Sequence, residues 1–384
     1  MPMLTKTPSD LKAARPPAAP TAKRPRDPRL DVFRGIGMMI ILIAHVPNNP
    51  WILWIPARFG FSDATEMFVF LSGMASALAF GRIYDRDGFL MGIGRTAHRI
   101  WQVYWTHVLV FVVVVALMVA AGTKPDGTGY PSSLNLMPFL DDPGPQLLGL
   151  LTLSYVPNYF DILPMYLVIL ALMPVMLGLE RLHRAAPFVA MGAIWLMAQA
   201  GVNLPAEPWS DRPWYFNPFG WQLLFFLGFF LMRRTLVPPP RTPALMALAA
   251  VIVIATVPFA WYVALNAVPV LAEAANTLRP LTDKTTFGLL RLVHFLALAY
   301  LAVHLVGEGG RRLKGPAVTV ISVVGQQSLA VFVAGMVTAQ VIGIALDHTG
   351  RTGLTVAAGN LAGMAVLVAV AYAVRWFKAS PWKG

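Results

Sequence analysis

No charged side chain interrupts the stretch between Arg99 and Lys124, nor the longer one between Lys314 and Asp347. Each exceeds the ~20 apolar residues that carry an α-helix across a bilayer. A chain with several such runs folds under the rules of lipid. Every backbone N–H and C=O must be satisfied internally, so a helical bundle is the expected architecture. Composition agrees: 57% of the 384 residues are hydrophobic and 12% are charged, against about 25% charged in soluble domains. There is no cysteine, which excludes disulfides, thiolate catalysis and Cys-based metal sites.

Taken in order, the apolar runs predict an all-α polytopic membrane bundle of about ten transmembrane helices. They cover residues 30–47, 64–82, 100–121, 161–179, 186–203, 218–235, 244–265, 287–306, 317–345 and 354–377. The segment 138–157 is shorter and reads as part of an outer loop, re-entrant or interfacial. Residues 1–29, rich in Pro, Ala and Lys/Arg, read as a disordered basic cytoplasmic arm. No apolar region precedes a small-residue cleavage site there, so the arm is not a signal peptide. Residues 30–377 form one transmembrane domain, and 378–384 a cytoplasmic tail.

The net charge of +12 would raise nucleic acid as a partner for a soluble protein. Here its placement makes membrane lipid the partner instead. With the N-terminus inside, the outer loops hold only Arg58, Lys124, Arg212, Arg279, Lys284 and Arg351. Arg34 and Arg291 fall within spans, and every other Lys and Arg lies in the arm, the alternate loops or the tail. That asymmetry places both termini in the cytoplasm.

Ionisable groups inside spans are costly and mark function by default. The first span carries Arg34 near its inner end and His45 eleven residues on. Eleven residues are close to three turns and roughly 16 Å, so both side chains share one face. A snorkelling Arg and a packed His would be the bland explanation. Asp63 and Glu66 follow at capping-box spacing. Either carboxylate near His45 would orient the imidazole and stabilise its cation. Other polar residues gather at the outer ends of later spans: Asp161, Asn217, Trp221, Gln222, Lys284, Thr285, Arg291 and His294. Helix capping explains some of them. Together, their hydroxyl-binding groups and indoles suit a sugar. On the inner side, Arg95 and Arg99 are ordinary topogenic charge or a clamp for phosphates. Gln326 and Ser328 fall mid-span. No residue set reads as a metal site.

The Arg34-to-His45 spacing resembles the first-helix signature of the acyltransferase family 3 membrane enzymes, and Glu66-Met-Phe-Val-Phe-Leu-Ser-Gly73 is similar to that family's second-helix motif. More narrowly, several stretches resemble OpgC-type proteins of bacterial glucan modification. They are Arg29 to Gly35, Phe59 to Ala64, Asp161 to Pro164, Trp214 to Gln222, Asp283 to Thr285 and Gly325 to Leu329. The resemblance spans residue 29 to about 335. It implies an O-acyltransferase of the bacterial inner membrane with its active site in the periplasmic half. The reaction implied moves a succinyl group, or an acetyl group, from cytoplasmic acyl-CoA to an osmoregulated periplasmic glucan. Acyl-CoA is then a co-substrate, with no bound cofactor. One departure stands out: Ala44 precedes His45 where close relatives would carry an acid.

On this reading His45 is general base or transient acyl acceptor, oriented by Asp63 or Glu66. Arg34, Arg95, Arg99, Gln326 and Ser328 face the donor, and the outer polar set faces the acceptor. Lys284 or Arg291 is the candidate partner for a succinyl carboxylate. Two rivals stay open. A lipid-linked sugar glycosyltransferase would use outer-loop carboxylates such as Asp141 and Asp142. A proton-coupled transporter would bury His and carboxylates, and it usually shows internal repeats, which this sequence lacks.

Overall fold

The computed structural model describes residues 27–382, so the arm up to residue 26 and the last two residues lie outside it. Among the described residues the chain is helical, with two isolated β-bridges and no strands. The long helices are α1 (Pro28–His45), α2 (Ala64–Arg86), α3 (Phe89–Ala121), α4 (Pro143–Thr152), α5 (Ile162–Leu182) and α6 (Ala186–Gln199). They continue as α7 (Pro218–Arg233), α8 (Pro243–Thr256), α9 (Leu289–Val306), α10 (Pro316–Gln326), α11 (Ser328–Thr349) and α12 (Gly353–Lys378). Six of them, α2, α3, α5, α9, α11 and α12, are long and apolar enough to cross a membrane.

Local chemistry sets the helix ends. Asp27 caps α1 ahead of Pro28, and Asn217 caps α7 ahead of Pro218. In each case the side chain satisfies an orphan N–H while proline starts the first turn. Thr242 caps α8 in the same way, and Thr352 caps α12 ahead of Gly353, without a proline. A π-turn at Ala77–Gly81 interrupts α2.

Two expected boundaries are corrected. The third apolar helix begins at Phe89, not near residue 100. Arg95, His98 and Arg99 therefore lie on the helix itself, because nothing between Gly88 and Gly122 breaks helical geometry. The run 317–345 is two helices: Gln327 leaves helical geometry (φ −105°, ψ 28°) and separates α10 from α11. The segment 138–157, expected as an outer loop, holds two short helices, the longer of them the ten-residue α4. It folds back along α3, where the Tyr104 hydroxyl donates to Leu151 O at 2.7 Å and Phe139 meets Phe111 edge-on at 5.0 Å.

Between lipid-exposed helices, packing replaces the hydrophobic effect, and small residues let backbones close in. The α2–α7 pair does this reciprocally. A Cβ on Gly73 would lie 1.9 Å from Phe225 O, and one on Gly228 would lie 2.3 Å from Phe70 O. Phe225, Phe226, Phe229 and Phe230 are fully buried around that contact. The α1–α2 pair runs antiparallel, with the Arg34 guanidinium donating to Leu71 O at 3.1 Å and Gly37 against Met67. These contacts put the end of α1 beside the start of α2, which is where the site forms.

Candidate active site

His45 is the last residue of α1. Its Nδ1 lies 2.7 Å from the carbonyl of Ile41, one turn back. A carbonyl only accepts, so the proton sits on Nδ1 and the imidazole presents Nε2 as a lone pair. Nε2 has no hydrogen-bond partner among the described residues. His45 lines an open cavity of about 430 Å³ walled by the chain from Ala44 to Leu53. A buried amide pair fixes that wall. Asn49 Nδ2 donates to Asn360 Oδ1 at 2.8 Å, and Asn360 Nδ2 returns a bond to Asn49 Oδ1 at 3.1 Å. Asn49 also reaches Ile43 O at 2.9 Å. The imidazole also packs against the Tyr159 ring, with centroids 5.2 Å apart and planes at 69°.

Asp63 and Glu66 do not orient His45, because the Ile41 carbonyl already does. The capping box is real: Asp63 N donates to Glu66 Oε2 at 2.7 Å, and Thr65 N to Asp63 Oδ1 at 2.6 Å. The remaining carboxylate oxygens hold cations. Lys284 Nζ donates to Asp63 Oδ2 at 2.6 Å. Arg291 donates to Glu66 Oε1 through Nε at 2.7 Å and Nη2 at 2.5 Å. Burial pushes the Asp63 carboxyl up, but the Lys284 and Arg291 cations outweigh it and hold Asp63 well below the carboxylate range. For Lys284, burial pulls down while Asp63 and Glu66 push up, and the net shift is upward. Two cations and two carboxyl groups bond one another in a closed cluster. Lys284 and Arg291 are already engaged there, against the role expected of them for a succinyl carboxylate.

A clamped loop delivers Lys284 to this cluster. The four carbonyls from Lys284 to Phe287 accept in turn from Trp221 Nε1, Asn217 N, Gln199 Nε2 and Trp195 Nε1, at 2.8–3.1 Å. Thr286 N and Oγ1 bind back to Asp283. That network corrects several acceptor assignments. Asn217, Trp221 and Gln222 are fully buried. They hold backbone and cannot touch a sugar, and Thr285 takes part through its carbonyl. His294 is also buried. Its Nδ1 meets Ser62 Oγ at 2.7 Å, and its Nε2 packs on Gly60, where a Cβ would come within 2.2 Å. Asp161 is buried as well, at 6% exposed, and its Oδ1 is closed off from the surface, so in this structure it does not reach a sugar.

The donor set divides by depth. Arg34 bonds Leu71 O, whereas Arg95 stands 5.9 Å over Phe80, nine residues further along α2. Nine residues of helix are roughly 13 Å. Arg99 donates to Gln102 on its own helix. Gln326 Nε2 donates to Asp31 Oδ2 at 3.1 Å, and Gln327 next to it accepts from Lys378. Ser328 opens α11. Gln326 thus lies near Arg34 on the first turns of α1, far from His45 and any oxyanion there.

Sequence reasoning missed Tyr159, Asn360, Trp195 and Gln199. Tyr159 stands two residues before Asp161, whose charge drew the attention, and each of the four matters through a partner distant in sequence. Only the polar Asn360 inside the apolar run of α12 gave a signal.

The fold and site define a membrane-type helical bundle with a tautomer-fixed imidazole that lines a cavity, beside a closed cluster of paired acids and bases. The chain belongs to the OpgC protein family, whose model matches residues 26–379. That membership implies a transferase of the membrane acyltransferase type acting in glucan modification. No curated protein and no solved structure matches the chain.

Proposed function

We propose that this protein is an O-acyltransferase that moves a succinyl or acetyl group from cytoplasmic acyl-CoA to a hydroxyl of a periplasmic glucan. In this reading ten helices span the bacterial inner membrane with both termini inside, α10 being an inner-side segment before α11. The observation that carries the proposal is the His45 Nε2 lone pair, unpartnered and fixed by the Ile41 bond, at the mouth of a cavity. Arg34 lies three turns below on the same helix.

The glucan hydroxyl binds at the outer end, in the cavity that His45 lines. His45 Nε2 takes the hydroxyl proton as the oxygen attacks the thioester carbonyl. The tetrahedral intermediate collapses, the C–S bond breaks, and the imidazolium returns its proton to the leaving CoA thiolate. The products are the glucan ester and free CoA thiol. Arg34, with Arg95 and Arg99 at the entrance, favours the phosphates of the donor. General base catalysis of this kind contributes ~10²–10⁴-fold.

Mass spectrometry of periplasmic glucans from a deletion strain carrying either the wild type or His45→Ala tests this. The wild type should restore a succinyl or acetyl mass increment and the variant should not. Full substitution by a stably inserted His45→Ala protein would exclude the mechanism. The same spectra name the acyl group.

A further inference from the structure

Tyr159 is the residue that touches the proposed base without belonging to any motif. Its φ is +87°, a conformation that bulky side chains rarely adopt and that costs roughly 1–3 kcal/mol. Such strain persists only where the surroundings over-determine it. They do so from two sides. The Tyr159 hydroxyl donates to Met336 O of α11 at 2.6 Å. The following residue, Phe160, is 1% exposed and stands edge-on to Phe111 of α3 at 5.3 Å. Between these anchors, the strained backbone holds the phenol ring against the His45 ring, at 69° to it. The Ile41 bond fixes one nitrogen of that ring, and it leaves the imidazole free to swing about the bond unless a wall blocks it. Tyr159 is that wall.

We propose that Tyr159 is a positioning residue: held by α11 and α3, it sets the direction of the His45 Nε2 lone pair into the cavity. The inference rests on the reading of His45 as base. It goes further in tying the aim of that base to α11, the helix that begins at the Gln327 break. Chemistry then depends on the Tyr159–Met336 tether, although the tyrosine contributes no proton and touches no substrate.

The test is steady-state acyl transfer from succinyl-CoA and acetyl-CoA to glucan by purified Tyr159→Phe and Tyr159→Leu. Folding is checked by gel filtration and thermal midpoint. Tyr159→Leu removes wall and tether, and kcat should fall ~100-fold with KM for both substrates held within about twofold. Tyr159→Phe keeps the wall and loses the tether. Its kcat should fall ~10-fold, and the acid limb of its pH–rate profile should move relative to wild type. A wild-type kcat in folded Tyr159→Leu overturns the inference, as does a Tyr159→Phe with unchanged kcat and pH profile. A poorly folded Tyr159→Leu leaves the phenylalanine variant to decide. His45→Ala run alongside separates the two claims. If it retains transfer, the base assignment fails; if it is inactive while the Tyr159 variants are normal, only the positioning role fails.

Discussion

At the residue scale, Asp63 and Lys284 at the head of α2 show how a buried carboxylate is kept ionised. Lys284 and Arg291 neutralise Asp63 and Glu66 at 2.5–2.7 Å, so removing one partner strands another. Lys284→Met should cost about 3–5 kcal/mol, and adding Asp63→Asn should recover a large part of it. Thermal unfolding in detergent measures both, and an additive double variant would deny the pairing. The pH dependence follows from the shifts. Asp63 is lowered on folding, so its contribution is present above the ordinary carboxylate value near ~3.9 and fades only below it. Lys284 is raised, so its contribution is present below ~10.4 and fades above. The Asp63–Lys284 pair should hold its contribution to stability flat from about pH 5 to 9. A loss between pH 7 and 5 seen in the wild type but not in Asp63→Asn would contradict this. The capping box was legible from the spacing of Asp63 and Glu66. Their cations were not, because Arg291 lies 225 positions away from Glu66 and only the packed bundle joins them. The outer polar residues were found, yet Asn217, Trp221 and Gln222 were read as a sugar site when they hold backbone. A sequence records residue type and not which way a side chain faces.

At the element scale, the α2–α7 contact is set by two glycines, each under a carbonyl of the other helix. Gly73→Leu must push the helices apart, at a cost of about 1–3 kcal/mol or more. The expected result is a lowered thermal midpoint and reduced activity, since α2 carries the charge cluster. An unchanged midpoint would mean that the helices do not pack this closely. Helix existence was readable along most of the chain because uncharged runs of this length have few other fates. Boundaries were less so. Charges at 95–99 looked like a loop but ride on α3, and an unbroken apolar pattern across 317–345 hid the break at Gln327. Apolarity reports burial in lipid and says little about where the backbone turns.

At the scale of the whole molecule, one end of the bundle gathers His45, the charge cluster and Asp161, and the other gathers Arg34, Asp31 and Gln326. The proposed topology puts the first end outside. The absence of cysteine makes sidedness directly testable: an impermeant maleimide should label Thr128→Cys but not Asp87→Cys in intact cells, and the reverse result would invert the scheme. The central claim is that the His45 imidazole accepts the proton during acyl transfer. Single-turnover transfer from succinyl-CoA or acetyl-CoA to glucan by purified wild type and His45→Ala tests it most directly. The account predicts a rate lower by ~10²–10⁴-fold in the folded variant, and a rate within about twofold of wild type would contradict it.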